Sequence, residues 1–149
     1  MKNTLLAIGF ALLGDVASAQ SSHHTAPEQV RQSFGRNFPQ ASDAHWTHSG
    51  GQWNATFDDR SSEDRGEMVA HFREDGRYVE SHIPYAESDV PHDVNESARR
   101  RYRHGHYHVT MIDHPSRPDV YEVRGEVNGR QRTSYYDEHG RERSRDGRH

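Results

Sequence analysis

The sequence predicts an α+β chain made of two tandem repeats, each one helix packed on a three- to four-stranded antiparallel sheet. Three observations carry that reading. The apolar spacing changes twice from a period near four to a period of two, once after Phe38 and again after Tyr102. Landmarks recur at a fixed offset: Pro27-Glu28-Gln29-Val30 and Pro91-His92-Asp93-Val94 lie 64 residues apart, as do Phe72-Arg73-Glu74-Asp75-Gly76-Arg77 and Tyr136-Asp137-Glu138-His139-Gly140-Arg141. Asp75-Gly76 and Asn128-Gly129 are hairpin signals, because these residue types accept the positive φ that tight turns require.

The first element reads as a secretory signal peptide over residues 1–19. Lys2 supplies a positive start, Leu5 to Leu13 an apolar stretch, and Ala17-Ser18-Ala19 a small-residue cleavage site. The stretch is far shorter than the ~20 apolar residues a bilayer span needs. No transmembrane segment is expected in the chain that remains after cleavage near Ala19, which would place the protein in the periplasm or the medium. Cleavage would also remove every leucine and the single lysine. The core must then come from valine and aromatic rings, each ring able to bury about 150–250 Å².

The first repeat is expected over 26–84 and the second over 85–142, followed by a charged tail, 143–149, expected to fray. Each repeat opens on a helix. Pro27 and Pro91 suit a first turn, where the missing N–H is no loss. Val30, Phe34 and Phe38 line one face of the first helix, which Pro39 stops; Val94, Ala98 and Tyr102 line the second, which Gly105 ends. Strands follow, with Ala44 and Trp46, then Trp53, Ala55 and Phe57, then Met68, Ala70 and Phe72, then Tyr78 to Ile83. The second repeat gives Tyr107, Val109 and Met111, then Tyr121, Val123 and Val127, then Arg130 to Tyr136. The expected core is Phe34, Phe38, Trp46, Trp53 and Phe57 in the first repeat, with Val94, Tyr102, Val109, Tyr121 and Val123 in the second.

Composition narrows the function. The chain has 149 residues, 28% charged, and a formal net charge of −4, which gives no reason to bind nucleic acid. The absence of cysteine excludes disulfides, thiolate metal sites and cysteine catalysis. There is no Gly-x-Ser-x-Gly elbow and no His-Glu-x-x-His motif, so no enzyme is expected. The carboxylates at Asp58, Asp59, Glu63, Asp64 and Glu67 are broken up by Arg60 and Arg65, which fits a solvated loop and not a calcium loop.

Histidine is the unusual resource, thirteen in all. His104, His106 and His108 alternate after the second helix, and strand geometry puts alternate positions about 6.6–7 Å apart. Two of them could share a metal ion; the sequence therefore offers His104, His106 and His108 as candidate ligands for weak zinc or copper binding, with no resident cofactor, and His114 and His23-His24 behind them. A solvated polar face is the plainer explanation of all these histidines. Arg99-Arg100-Arg101 with Arg103 is a basic cluster that fits either a solvated helix face or an acidic partner.

The pattern Ala26-Pro27-x-x-Val30, Phe34, Phe38-Pro39-x-Ala41, Trp46 and Phe72-x-x-Asp75-Gly76 resembles the beta-lactamase-inhibitor-like, PepSY-like family. The linker Ile83-Pro84 to Val90-Pro91-x-x-Val94 and the ending Val127-Asn128-Gly129 to Tyr136-Asp137-x-x-Gly140 extend the resemblance over residues 26 to 142. It implies a small exported protein with tandem helix-plus-sheet units and a non-enzymatic binding or inhibitor-like role, toward a protein or peptide in the cell envelope. It carries over no catalytic residue.

Overall fold

Each repeat begins where a proline sets the backbone for a helix. In the computed structural model, which describes residues 25–59, 66–103 and 105–147, α1 spans Glu28–Asn37 and α2 spans His92–Tyr102. Pro27 and Pro91 sit at the N-cap, one residue earlier than a first-turn position. The Pro27 carbonyl accepts from the Val30 and Arg31 N–H groups at 3.0 Å, and the Pro91 carbonyl from Asn95 at 2.9 Å. Glu28 and Asp93 add negative charge where the helix dipole favours it. α1 ends before Phe38-Pro39, since the residue ahead of a proline is driven out of helical geometry. α2 ends at Tyr102 without waiting for Gly105: Arg103 already turns to φ +41°.

The strands are β1 (Ala41–Ser49), β2 (Gln52–Asp59), β3 (Met68–Arg73), β4 (Tyr78–Tyr85), β5 (Tyr107–Asp113), β6 (Val120–Val127), β7 (Arg130–Tyr136) and β8 (Glu142–Arg143). They form one antiparallel sheet in chain order. The expected α+β tandem architecture is present, and the two expected sheets are one. The join is β4 with β5, where Ile83 faces Met111 and Tyr85 faces Val109. Two bulges interrupt the register, between Ser42 and His45 and between His71 and Phe72.

The repeat is visible in backbone contacts at the same 64-residue offset. Gly76, at φ +82°, lies so close to α1 that a Cβ there would come within 2.8 Å of the Gln29 carbonyl oxygen. Gly140, at φ +69°, lies against α2, and a Cβ would come within 2.3 Å of the Asp93 carbonyl oxygen. Each β3–β4 or β7–β8 turn thus braces the start of its own helix, and only glycine leaves room.

Both helices pack on one face of the sheet. Under α1 lie Trp53, Ala55, Phe57, Met68, Ala70 and Phe72; under α2 lie Val109, Tyr121, Val123 and Tyr136, with Val94, Ala98 and Tyr102 from the helix itself. All ten expected core residues join these clusters, but Phe34, Phe38 and Trp46 are only partly buried. One helix of ten residues covers part of a four-stranded face, so rings at its margin keep an edge in water.

The charged tail does not leave the molecule at residue 143. Arg143 pairs with Tyr135 in β8 and bonds Asp137 at 2.6 Å. The chain then folds back: Arg145 reaches Glu80 at 2.6 Å, and Gly147 comes up to Val120. The fraying expected from charge alone gives way to these ion pairs through Gly147.

Candidate functional site

The face of the sheet opposite the helices has no helix on it among the described residues. Alternation assigns its side chains. β1 and β2 contribute His45, Thr47, Asn54 and Thr56; β3 and β4 contribute Val69, His71, Glu80 and His82; β5 and β6 contribute Thr110, Ile112, Val120 and Glu122. Over the first three strands these side chains are polar or β-branched and half-buried or exposed. Over β4 to β6 four of them are buried, namely Glu80, Ile112, Val120 and Glu122. The difference follows the returning C-terminal segment, which lies against Glu80 and Val120.

At the boundary between the open and covered halves, five side chains form one network. The His71 and His82 rings meet edge-on with centroids 4.9 Å apart. His71 Nδ1–H donates to Asn54 Oδ1 at 2.7 Å, and His82 Nε2 lies 3.1 Å from Glu80 Oε1, the same oxygen that Arg145 engages. Burial, then the neighbouring His82 charge, push the His71 imidazole below its ordinary value; Glu80 opposes that shift and Arg145 adds to it. Burial alone would raise the Glu80 carboxyl, but the His82 hydrogen bond and the Arg145 charge outweigh it and hold the group low. Next to this network Arg124 pairs with buried Glu122 at 2.7 Å. The Tyr135 phenol is pushed up by burial and by Glu122.

The sequence pointed elsewhere, to the histidines after α2. His104 lies outside the described residues. His106 and His108 are both exposed and line a single cleft of about 960 Å³ at the C-terminal end of α2. The cleft walls also carry Arg101, Arg103, Arg124, Glu126 and Asn128. His114 is at the opposite end of β5, in the turn before β6, close to Ser116. His23 and His24 lie outside the described residues. Among the described residues no group of three or more His, Asp or Glu side chains is placed to hold a metal ion.

Sequence reasoning missed the network of Asn54, His71, His82, Glu80 and Arg145. Half of the signal was present: Val69 and His71 alternate with the apolar residues of β3. The rest needed the bulge that sets β4 against β3 and the return of a tail 65 residues downstream of Glu80.

This architecture, two helix-plus-four-strand units sharing one continuous antiparallel sheet, is that of the BLIP-like proteins. The chain is similar to the crystal structure of a BLIP-like protein from Bacteroides fragilis, with a TM-score of 0.70 and 16% identity over 81% of this chain and 85% of that one. It is equally similar to a DUF2874 family protein from Bacteroides ovatus (TM-score 0.70, 17% identity, 80% and 85% covered) and to a candidate periplasmic protein from Bacteroides eggerthii (0.70, 15%, 80% and 86%). No protein-family model and no curated protein matches the sequence. The described residues contain no helix long and apolar enough to cross a membrane.

Proposed function

We propose that the protein is an exported, non-enzymatic binding module that offers the open part of its helix-free face, β1 to β3, to a protein or peptide partner in the cell envelope. The observation that carries this reading is the asymmetry of the sheet: one face is sealed by two helices, while the other presents His45, Thr47, Asn54, Thr56 and His71 with no helix over them. Side chains held on a hydrogen-bonded sheet lose little freedom when a partner docks, which favours affinity. The likeness to BLIP-like and candidate periplasmic structures supports the same reading, and so does the leader-like first stretch of the sequence. The test is affinity capture from an envelope extract. The protein retains a partner, a Thr56→Arg variant on the open face loses it, and an Arg36→Glu variant on the outside of α1 keeps it. Equal capture by all three refutes the assignment of the face.

A second reading, weak zinc or copper binding by His106 and His108, is supported by their shared place on one cleft wall. Two nitrogens leave a tetrahedral ion half-coordinated, and the guanidinium groups of Arg101, Arg103 and Arg124 repel a dication. Calorimetric titration of untagged protein with zinc decides it: heat that disappears in a His106→Ala/His108→Ala variant favours the site, and unchanged heat removes it.

A further inference from the structure

We propose that the cleft at the C-terminal end of α2 binds a compact anion bearing two or more phosphate groups. This proposal is independent of the partner assigned to the helix-free face, because the cleft is built from other residues at one end of the second repeat. Its first support is a division within the arginine cluster. Arg99 pairs with Glu87 at 3.3 Å and Arg100 with Glu96 at 3.1 Å. Arg101 and Arg103 make no salt bridge among the described residues, and both line the cleft. The last turn of a helix favours cations in general; that accounts for arginines there, not for the gathering of the two without carboxylates on one wall.

The second support is the rest of the lining. His106, His108 and Arg124 also line the cleft, Arg124 being paired with Glu122, and Glu126 is the one carboxylate among the lining residues. Guanidinium groups present paired N–H donors that match phosphate oxygens, and each phosphate brings more charge than a carboxylate. The third support is backbone strain. Arg103, at φ +41°, lines this cleft outside any hairpin, whereas the positive φ of Asn128 belongs to the β6–β7 turn. Strain of this kind persists where surrounding structure imposes it and gathers at ligand sites. The cleft volume leaves room for a compact ligand recognised by charge.

The test is isothermal titration with sodium tripolyphosphate at low and moderate salt, with citrate at equal ionic strength as the carboxylate control. The proposal expects tripolyphosphate binding that weakens with salt, at least tenfold weaker binding in Arg101→Gln/Arg103→Gln, and no change in Arg36→Gln/Arg117→Gln. Should the double variant melt early, Arg101→Gln alone, exposed in the last helical turn, is expected to weaken binding at least threefold. Phosphatidylcholine vesicles with and without phosphatidic acid identify the source of the phosphate. Capture by the acidic vesicles that is lost in the double variant assigns a lipid headgroup, and binding of tripolyphosphate alone assigns a free anion. No binding, equal binding in every variant, or citrate binding as tight as tripolyphosphate overturns the proposal.

Discussion

The two repeats share a backbone and differ in what fills it. In the first, rings do the filling: Phe57 packs edge-on against Phe34 with centroids 4.9 Å apart and at the same distance from Phe38, while Trp46, Phe72 and Tyr78 close the cluster. In the second, Gly125 stands near the place of Phe57, and Tyr102 takes the position of Phe38. The glycine makes room for the tyrosine ring. A Cβ on Gly125 would come within 2.7 Å of the Tyr102 ring. The price of the larger residue is a buried hydroxyl, and the fold satisfies it: the Tyr102 O–H is 2.9 Å from the Val123 carbonyl oxygen and 3.1 Å from Ser134 Oγ. The difference teaches that one helix-on-sheet frame can be held either by aromatic packing or by a ring, a glycine and a polar network.

The largest way to break the comparison is to empty the aromatic repeat. Phe57→Ala removes a ring that is 2% exposed and is expected to cost about 3–5 kcal/mol, read as a large drop in melting temperature by circular dichroism. Trp53, at the edge of the same cluster with its indole against His48, is expected to show a cost of the same order on truncation to Ala. An unchanged melting curve in either variant would remove that residue from the core.

The brace shared by both repeats comes next. Gly140→Ala forces a methyl into the Asp93 carbonyl and into an unfavourable φ, with an expected cost of about 2–3 kcal/mol. Gly129→Ala has a positive φ but open space, and is expected to cost only about 1 kcal/mol. Denaturant titration that ranks the two equally would contradict the close contact between the last turn and α2.

Tyr102→Phe sharpens the contrast within the second repeat. It keeps the ring and deletes the hydroxyl, leaving buried acceptors short of a donor, at about 1–2 kcal/mol. The converse change, Phe38→Tyr in the first repeat, adds a hydroxyl to a partly exposed ring and is expected to be near neutral.

Acid produces the smallest effect near neutrality and a growing one below it. The folded His71 imidazole is held below its ordinary value of 6.5, so folding favours the neutral ring. That contribution is whole above the ordinary value and is lost as pH falls through the depressed one. Glu80 and Asp137 are also held low; in Asp137, burial is outweighed by backbone and side-chain bonds from Arg141 and a backbone bond from His139. Their contributions are present above the usual carboxylate range and disappear below it. All three therefore act in one direction, and the melting temperature is expected to fall as pH drops below about 6.5. His71→Gln should flatten the upper part of that curve and leave the carboxylate part.

Much of this was legible in the chain. The period change after each helix, the 64-residue spacing and the Asp-Gly and Asn-Gly turns are local signals, and they placed both helices and the main strands. Val30 and Val94 occupy matching positions and both are fully buried. What stayed hidden was long-range. The pairing of β4 with β5 leaves no mark in sequence spacing, because either sheet edge alternates in the same way. The tail was read from its charge as solvated, yet its arginines find Asp137 and Glu80, carboxylates that sequence position does not bring near. His106 and His108 were found by their alternation, while His71 and His82, on different strands, became neighbours only through a bulged register.

The central claim is that the helix-free face is open over β1 to β3 and covered where the returning tail lies against Glu80 and Val120. The chain has no cysteine, so single cysteines report on it cleanly. Thiol labelling with a small maleimide should be compared at Thr56→Cys, on the open part, and Val120→Cys, under the returning tail. The account predicts fast labelling at residue 56 and slow labelling at residue 120, with the slow rate rising when Arg145→Ala releases the tail from Glu80. Equal rates at the two positions, or a residue 120 rate indifferent to Arg145, would contradict it.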